Sequence, residues 1–395
     1  MTPSFDAVVC GAGPAGAYLA HLLSKKGIQT LLMDKARFPR YKPCGGGLTR
    51  RAIDLLPFDL SGIVEDWTVK ARIGLRSCAP LAIEVPEPMI GMVMRDRFDH
   101  FLVEKAREAG ALFWEGCAVG SIERTMDGFR LETGCGVVTA RCVAGADGVM
   151  SRVRRCLGLS PNTAVPALEA EVHPRRGTDL DRFRMTVDFD FWAVPRGYGW
   201  VFPKADHLSI GVFSTDRKVP GMRRYLHAYL ARKGISHGYE VRSIQGHLIP
   251  TGPPGTAGVV PSGAFLLGDA AGLCDPITGE GIYHALRQAE GVSCAMERHL
   301  AGDAAASSLY EDAVRREFSR EIRPARRLAF LLYRMPWVSD RLLEAMGERI
   351  MGYHLDVIAG RATYRQVFRK ALLPGTLLRV LPGFGGSRPD GMMPG

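Results

Sequence analysis

Two stretches of this chain hold residues whose types and spacing suit chemistry. The first is Gly11-Ala12-Gly13-Pro14-Ala15-Gly16, followed downstream by Asp34. Glycines at that spacing suit a pyrophosphate: Gly11 permits a tight turn, Gly13 lets the backbone approach the phosphates, and Gly16 lets helix and strand pack closely. A helix that opens at Pro14 and Ala15 offers the phosphates unpaired N–H groups and a partial positive charge. Asp34 suits a ribose 2′-hydroxyl and argues against a 2′-phosphate in this pocket. The pattern marks a dinucleotide site and leaves NAD(P) and FAD both open. The second stretch is Lys42-Pro43-Cys44-Gly45-Gly46-Gly47. Three consecutive glycines free the backbone to take positive φ and lie flat against a ligand. Cys44 stands at the head of that run.

These motifs need elements to position them. Residues 5–10 read as a buried strand, an apolar helix continues to about residue 26, and 28–33 is a second strand ending on Asp34. Strand, glycine turn, helix, strand and acid is the context the fingerprint requires. A basic loop with two prolines, 36–43, leads to Cys44, and 49–55 reads as a short helix. Residues 67–85 alternate in short β-like runs and leave the nucleotide domain. The segment 95–109 is helical, with Phe98, Leu102, Val103 and Ala106 on one stripe. Arg95 opens it, placed for a phosphate or for a surface salt bridge. Short strands follow over 111–114, 117–122, 129–133 and 137–140. Another strand then ends in Gly145-Ala146-Asp147-Gly148, before a basic helix over 151–157. Residues 166–249 are strand-rich, with one helix over 222–233 whose inner face carries Leu226, Tyr229 and Leu230. A strand over 264–267 places Gly268 and Asp269 at its carboxyl end, where open α/β sheets bind ligands. The turn 275–282, containing Gly279, Gly281 and Ile282, opens a helix to about residue 300 and aims its N–H groups at the sheet's mouth. Residues 307–380 are helical and arginine-rich. The Gly/Pro-rich end, 382–395, is expected to be disordered.

The expected organisation is a discontinuous nucleotide-binding domain (1–60, 90–160 and 255–300), a β-rich domain (61–89 and 161–254) and a helical region (301–381). At 395 residues the chain has room for two or three sizeable cores. Lys and Arg number 51 against 41 Asp and Glu, a net charge of +10. That excess suits a solvated basic face, or an anionic partner such as a membrane surface. Nine cysteines without a paired CxxC spacing point to reduced thiols in a cytoplasm-like compartment and to no metal site. No stretch reaches the ~18 apolar residues of a membrane span.

The fingerprint with Asp34, the Arg95 helix, and the strand ends at Asp147 and at Gly268-Asp269 together resemble FAD-dependent oxidoreductases of the aromatic-hydroxylase type. The resemblance covers roughly the first 300 residues. It implies an α/β fold: a Rossmann-like FAD-binding domain with a β-rich substrate domain and a helical C-terminal region. By resemblance Gly11, Gly13, Pro14, Ala15 and Gly16 hold the pyrophosphate, and Asp34 with Lys35 holds the adenosine end. Arg95 and Asp147 lie near the phosphates. Gly268 and Asp269 contact the ribityl region, and Gly279, Gly281 and Ile282 lie by the isoalloxazine with Cys44, Gly45 and Gly46.

Two further motifs resemble those of geranylgeranyl reductases. Pro195-Arg196-Gly197-Tyr198-Gly199-Trp200-Val201-Phe202-Pro203 matches their PxxYxWxFP pattern, and residues 42–47 match their Cys-Gly-Gly loop. The resemblance implies reduction of isolated double bonds in a prenyl chain carried by a lipid, a quinone or a chlorophyll-type molecule. An isolated alkene is a poor hydride acceptor, so a proton must arrive with the hydride in a dry site. Trp192, Tyr198, Trp200 and Phe202 would line the prenyl channel and stabilise cationic character, or pack as ordinary core. Cys44, Tyr198 and Trp200 are the catalytic candidates. Cys44 is a proton donor on this reading, or else a packing or gating residue beside the flavin. The electron donor is NADPH, NADH or reduced ferredoxin. A prenyl lipid is the expected partner and nucleic acid is not. A cytoplasmic location follows, peripheral on the inner membrane face through Arg315, Arg316, Arg320, Arg323, Arg326 and Arg327. The rivals are a flavin monooxygenase or halogenase, and a flavoprotein that only carries lipids.

Overall fold

The computed structural model describes residues 2–74, 80–251, 259–260, 262–303 and 305–371. Three sheets organise it. The largest has eight strands, with a parallel heart formed by Ala264–Leu266, Gly136–Gly145, Ser4–Cys10, Thr30–Met33 and Leu112–Trp114. Ala7, Val8, Val9, Leu31, Leu32, Val143 and Ala144 are fully buried there. Continuous apolar runs of this kind suit strands covered on both faces. One cover is the helix Pro14–Lys25, packed between the helices Arg95–Glu108 and Ile282–Leu300. The stripe Phe98, Leu102, Val103 and Ala106 faces this core as expected.

The strands expected over 137–140 and 141–145 are a single element, Gly136–Gly145. Its first half pairs antiparallel with Gly128–Thr133, and most of its length runs parallel to Ser4–Cys10. The exposed Arg141 interrupts the apolar run in sequence without ending the strand, because Ala140 and Cys142 on either side remain paired to Phe5 and Ala7.

A seven-stranded sheet runs in the order Tyr239–Pro250, Ala164–Pro174, Leu208–Ser214, Gly197–Pro203, Thr186–Phe191, Lys70–Gly74 and Leu81–Glu84. Its side chains alternate by face. Val201, Ile210 and Val212 meet Leu226, Tyr229 and Leu230 of the helix Met222–Arg232. A Cβ at Gly199 would come within 2.6 Å of the Tyr229 ring, so only glycine lets that helix approach so closely. Tyr198, Trp200 and Phe202 take the opposite face. A small third sheet joins Gly47–Thr49, Ile90–Val93 and Val64–Thr68. The segment 61–89 is therefore shared: its first strand pairs with Ile90–Val93, and the next two join the seven-stranded sheet.

After Leu300 the chain forms the helices Ala306–Arg320, Ile322–Arg334, Pro336–Ile358 and Tyr364–Ala371. The expected disordered end, 382–395, lies outside the described residues. No helix among the described residues is long and apolar enough to cross a membrane.

Candidate active site

The parallel strands deliver Gly11, Asp34, Ala146-Asp147 and Gly268-Asp269 to one edge, the carboxyl edge of the sheet. Gly11 has φ +104°, and a Cβ there would lie 2.4 Å from the Ala146 oxygen. A Cβ at Gly16 would overlap the Gly11 carbonyl at 1.8 Å. Gly13 differs: its Cβ would meet nothing within 4 Å except Arg40 Nη2, at 3.8 Å. Gly13 also caps its helix without any side-chain acceptor for the first N–H groups. The cradle is thus closed by packing at two glycines and open at the third, the shape a pyrophosphate requires. Asp34 turns one carboxylate oxygen to the Ala12 N–H at 2.7 Å and the other to the Ala36 N–H at 2.8 Å. A carboxylate oxygen has a second lone pair for a ribose hydroxyl. Lys35 is exposed beside it.

Arg95 is buried and forks onto Asp99 through two bonds of 2.8 Å. Its guanidinium also meets the Cys44 thiol. Asp99 is shared with Arg40, whose Nη2 lies 2.9 Å from it. The other nitrogen, Arg40 Nη1, is buried with no partner, and so is His247 Nε2. Burial, together with Lys42, Arg95 and Arg40, lowers the His247 pKa to about 4, so its ring is neutral. Lys42 reaches Asp269 at 4.0 Å. A buried donor without a partner is costly in a folded protein, and the one at Arg40 Nη1 belongs to the guanidinium that stands over the open Gly13 cradle. An anionic dinucleotide fits it. Arg40, which the sequence reading passed over, is the cation over Gly13, while Arg95 braces it through Asp99.

Asp147 spends its carboxylate on the helix Arg152–Cys156, accepting from the Ser151 hydroxyl and from the N–H groups of Arg152 and Val153. Its contribution at the glycine turn is backbone, packed against Gly11. Gly268 donates its N–H to Gln288 at 2.6 Å. Asp269 faces the helix start at Gly281, where a Cβ would lie 3.3 Å from its Oδ1.

The Cys-Gly-Gly loop lies directly on the aromatic strand. A Cβ at Gly45 would sit 2.6 Å from the Phe202 ring and 3.1 Å from Trp200 Nε1, which is buried without a partner. At Gly46, φ is +67° and a Cβ would strike the Val93 carbonyl at 2.0 Å. Lys204, fully buried, pins the loop by donating to Gly45 O at 2.7 Å and Val93 O at 2.9 Å. Glu169, also buried, accepts the Cys44 N–H. Neither residue stands out in the sequence except as the lysine after the aromatic motif and one of two acids in an apolar strand.

Tyr198, Trp200 and Phe213 form a buried cluster with Tyr333 and Ala329 of the helix Ile322–Arg334, bordered by Phe189, Phe191 and Phe202. Trp192 lies in the turn after Thr186–Phe191, with φ +66°. The Tyr198 hydroxyl donates to Thr278 O, and burial pushes its pKa well above the usual range, so it holds its proton tightly. Tyr333 donates to Ile277 O and Tyr364 to Asp275 Oδ2. Arg51 adds a bond of 2.5 Å to Glu280. The loop 275–281, with Gly279 at φ +73°, is therefore gripped from the seven-stranded sheet, from two C-terminal helices and from residue 51.

Residues 4–189 match the FAD binding domain family. The chain is 32% identical to digeranylgeranylglycerophospholipid reductase 1 of Methanopyrus kandleri, covering 83% of this chain and 90% of that protein. It is also 32% identical to the geranylgeranyl diphosphate reductase of Rhodobacter capsulatus, over 71% of this chain and 72% of that one. Among solved structures, a geranylgeranyl bacteriochlorophyll reductase-like protein from Thermoplasma acidophilum aligns with a TM-score of 0.80 at 23% identity, covering 94% of this chain and 99% of the other. The flavin-dependent brominase Bmp2 shares the fold at a TM-score of 0.72 and 19% identity, over 93% and 98% of the two chains. The glycine cradle, the Cys-Gly-Gly loop and the aromatic strand thus occur together in a chain that belongs to the geranylgeranyl reductase family of FAD-dependent oxidoreductases.

Proposed function

We propose that this enzyme saturates isolated double bonds in the prenyl chain of a lipid or quinone. The observation that carries the reading is the seating of the Cys44-Gly45-Gly46 loop on Trp200 and Phe202, with the cofactor edge beside it. A bound flavin supplies the hydride. The chain's own residues do the rest. The buried aromatic cluster excludes water, and the faces of Tyr198 and Trp200 favour positive character on the alkene by about 0.5–2 kcal/mol each. Tyr198 acts as a wall and an anchor for the loop 275–281, because its proton is committed to Thr278 O. Cys44, partly exposed at the head of its loop, is the proposed proton donor. NADPH, NADH or a reduced ferredoxin supplies electrons.

The C-terminal helices support contact with a membrane surface. On Ile322–Arg334, at about 100° per residue, Arg323, Arg327, Phe330 and Arg334 share one face, and Ile322, Ala325, Ala329 and Tyr333 are buried on the other. Phe330 is 59% exposed and Trp337 is 64% exposed. Next to them, Arg316, Arg320, Arg323, Arg327, Arg365 and Arg369 line a cavity of about 890 Å³. Aromatic and cationic groups side by side suit an anionic lipid surface. The helix that carries Arg323 and Arg327 on this groove carries Ala329 and Tyr333 of the aromatic cluster on its buried face.

The test is anaerobic incubation of the reduced protein with geranylgeranyl diphosphate, a geranylgeranyl lipid and menaquinone, read by mass spectrometry. Addition of one H₂ per double bond to any of them supports the reading. Oxygen-dependent halogenation or hydroxylation of an aromatic compound, with no prenyl reduction, overturns it.

A further inference from the structure

Saturating an alkene consumes a proton as well as a hydride, and the site must recover that proton in a dry interior. We propose that Glu169 and Glu171 form a proton path from a solvent pocket at the edge of the seven-stranded sheet to the Cys44 loop, with His207 at its outer end. The role in turnover rests on the prenyl-reductase reading above; the path itself does not.

Glu169 and Glu171 lie on the strand Ala164–Pro174, where Val165, Ala167, Ala170 and Val172 are buried. Two residues apart on a strand, they point to the same side. They are only 3% and 8% exposed. Burying two carboxyls side by side costs several kcal/mol unless at least one keeps a proton. At the inner end, Glu169 accepts the Cys44 N–H through one oxygen and the Ser209 hydroxyl through the other. Further out, Glu171 accepts the Tyr41 hydroxyl at 3.2 Å through one oxygen, and its other oxygen lies 2.9 Å from His207 Nε2 as an ion pair, off the line of a hydrogen bond. Glu171 also lines a cavity of about 540 Å³ with Tyr41, His173, Asp206, His207 and Arg242. His207 Nδ1 lies 2.7 Å from the exposed Asp206, so the outer end reaches bulk water.

The charges around this line favour exchange near neutral pH. Burial first, then Glu171, pushes the Glu169 pKa up to about 7, against Ser209, Lys204 and the Cys44 N–H, which pull it down. At His207 burial opposes the charge, and Glu171 and Asp206 outweigh it and raise the pKa. His173 stacks on His207 at 4.6 Å, with its own pKa lowered by burial and by His207 and Arg242. Arg95 faces the Cys44 thiol at the inner end. His173, Asp206 and His207 also lie close enough for a metal ion. His207 Nδ1 already bonds Asp206, and Nε2 lies 2.9 Å from the Glu171 carboxylate, which suits a charged imidazolium more than a ligand.

The balance is simple. One double bond takes up a hydride with its electron pair from the reduced cofactor, and one proton at the Cys44 loop. Glu169 replaces that proton and recovers one through Glu171 from water in the pocket. No other reagent is consumed.

The first measurement uses FAD-loaded protein with ¹³C-labelled glutamate carboxyls and no substrate. We expect one carboxyl to titrate near pH 7, to vanish in Glu169→Gln, and to move downward in Glu171→Gln, where the like charge is gone. A protein in which every glutamate titrates below about pH 6, or in which no neutral-pH carboxyl signal is lost in Glu169→Gln, overturns the proposal. The second measurement is steady-state turnover on whichever prenyl substrate is accepted. Glu169→Gln and Glu171→Gln should retain FAD and lose at least about tenfold in rate, with the pH dependence near 7 flattened in Glu169→Gln. Wild-type rates with a wild-type pH profile in both variants overturn the path. If no prenyl substrate is turned over at all, the functional reading fails, and the carboxyl titration still decides on the acid pair.

Discussion

The three glycines of the first turn should respond to the same substitution in opposite ways. Gly13 has φ −73°, a conformation alanine adopts freely, and its added methyl would meet only Arg40 Nη2 at 3.8 Å. Alanine is a poorer helix cap than glycine, so Gly13→Ala should cost the apoprotein about 1 kcal/mol or less. The methyl would, however, occupy the space a pyrophosphate needs. Losing one charge-assisted N–H bond to phosphate costs about 1.5–3 kcal/mol, which is about 10–200-fold in FAD affinity. Gly16→Ala instead puts a methyl 1.8 Å from the Gly11 carbonyl, and Gly11→Ala puts one 2.4 Å from Ala146 O at φ +104°. Backbone cannot yield there as a flexible side chain would, so each should cost about 3 kcal/mol or more. The assay is flavin absorbance per protein after reconstitution, beside a melting curve of the apoprotein. The expected pattern is Gly13→Ala folded and pale, and Gly11→Ala and Gly16→Ala unstable. Full flavin at wild-type affinity in Gly13→Ala would refute the placement of the phosphates, and a wild-type melt for Gly16→Ala would refute the packing argument.

Other perturbations test other parts of the site. Lys204→Met leaves the buried Gly45 and Val93 carbonyls without their donor and should cost about 1–3 kcal/mol, seen as a lower melting temperature and faster proteolysis within 42–47. The Glu169 carboxyl titrates near 7 in the native protein and near 4.3 when unfolded. Native protein therefore binds the extra proton between these values, and stability falls as pH rises through that window, by about 4 kcal/mol in all. Urea midpoints at pH 5 and pH 8 should differ accordingly in wild type and converge in Glu169→Gln; equal slopes in the two proteins would contradict the assignment. Arg323→Glu with Arg327→Glu should abolish flotation with anionic liposomes, and Trp337→Ala should weaken it on neutral ones too; binding indifferent to lipid charge counts against docking through the arginines. Cys44→Ala should keep its FAD and lose prenyl reduction, and normal reduction would remove Cys44 as proton donor.

Much of the cofactor edge was legible because its requirements are local. Gly11 and Gly16 are dictated by backbone overlap within a few residues, and Asp34 by the end of the adjacent strand. The aromatic strand was legible as well, since alternation puts Tyr198, Trp200 and Phe202 on one face whatever surrounds them. Arg40, Lys204 and Glu169 were not, because each acts across the chain: Arg40 on Asp99, Lys204 on Val93, and Glu169 on Cys44, 125 residues away. A signal for the last existed in Glu169-Ala170-Glu171, two acids on one face of an otherwise apolar strand. The split strand at 137–145 was misread for a related reason. Pairing with Ser4–Cys10 holds Arg141 in register, and pairing is not a local property.

The grip of Tyr198, Tyr333 and Tyr364 on residues 275–278 limits how this protein can be re-engineered. Specificity is commonly re-aimed by exchanging a terminal module between cousins. Here such a graft would carry away two of the three hydroxyls that hold the segment beside the cofactor edge. A chimera that keeps its colour should therefore need the donor's 275–281 together with the donor's C-terminal helices, as one inherited unit.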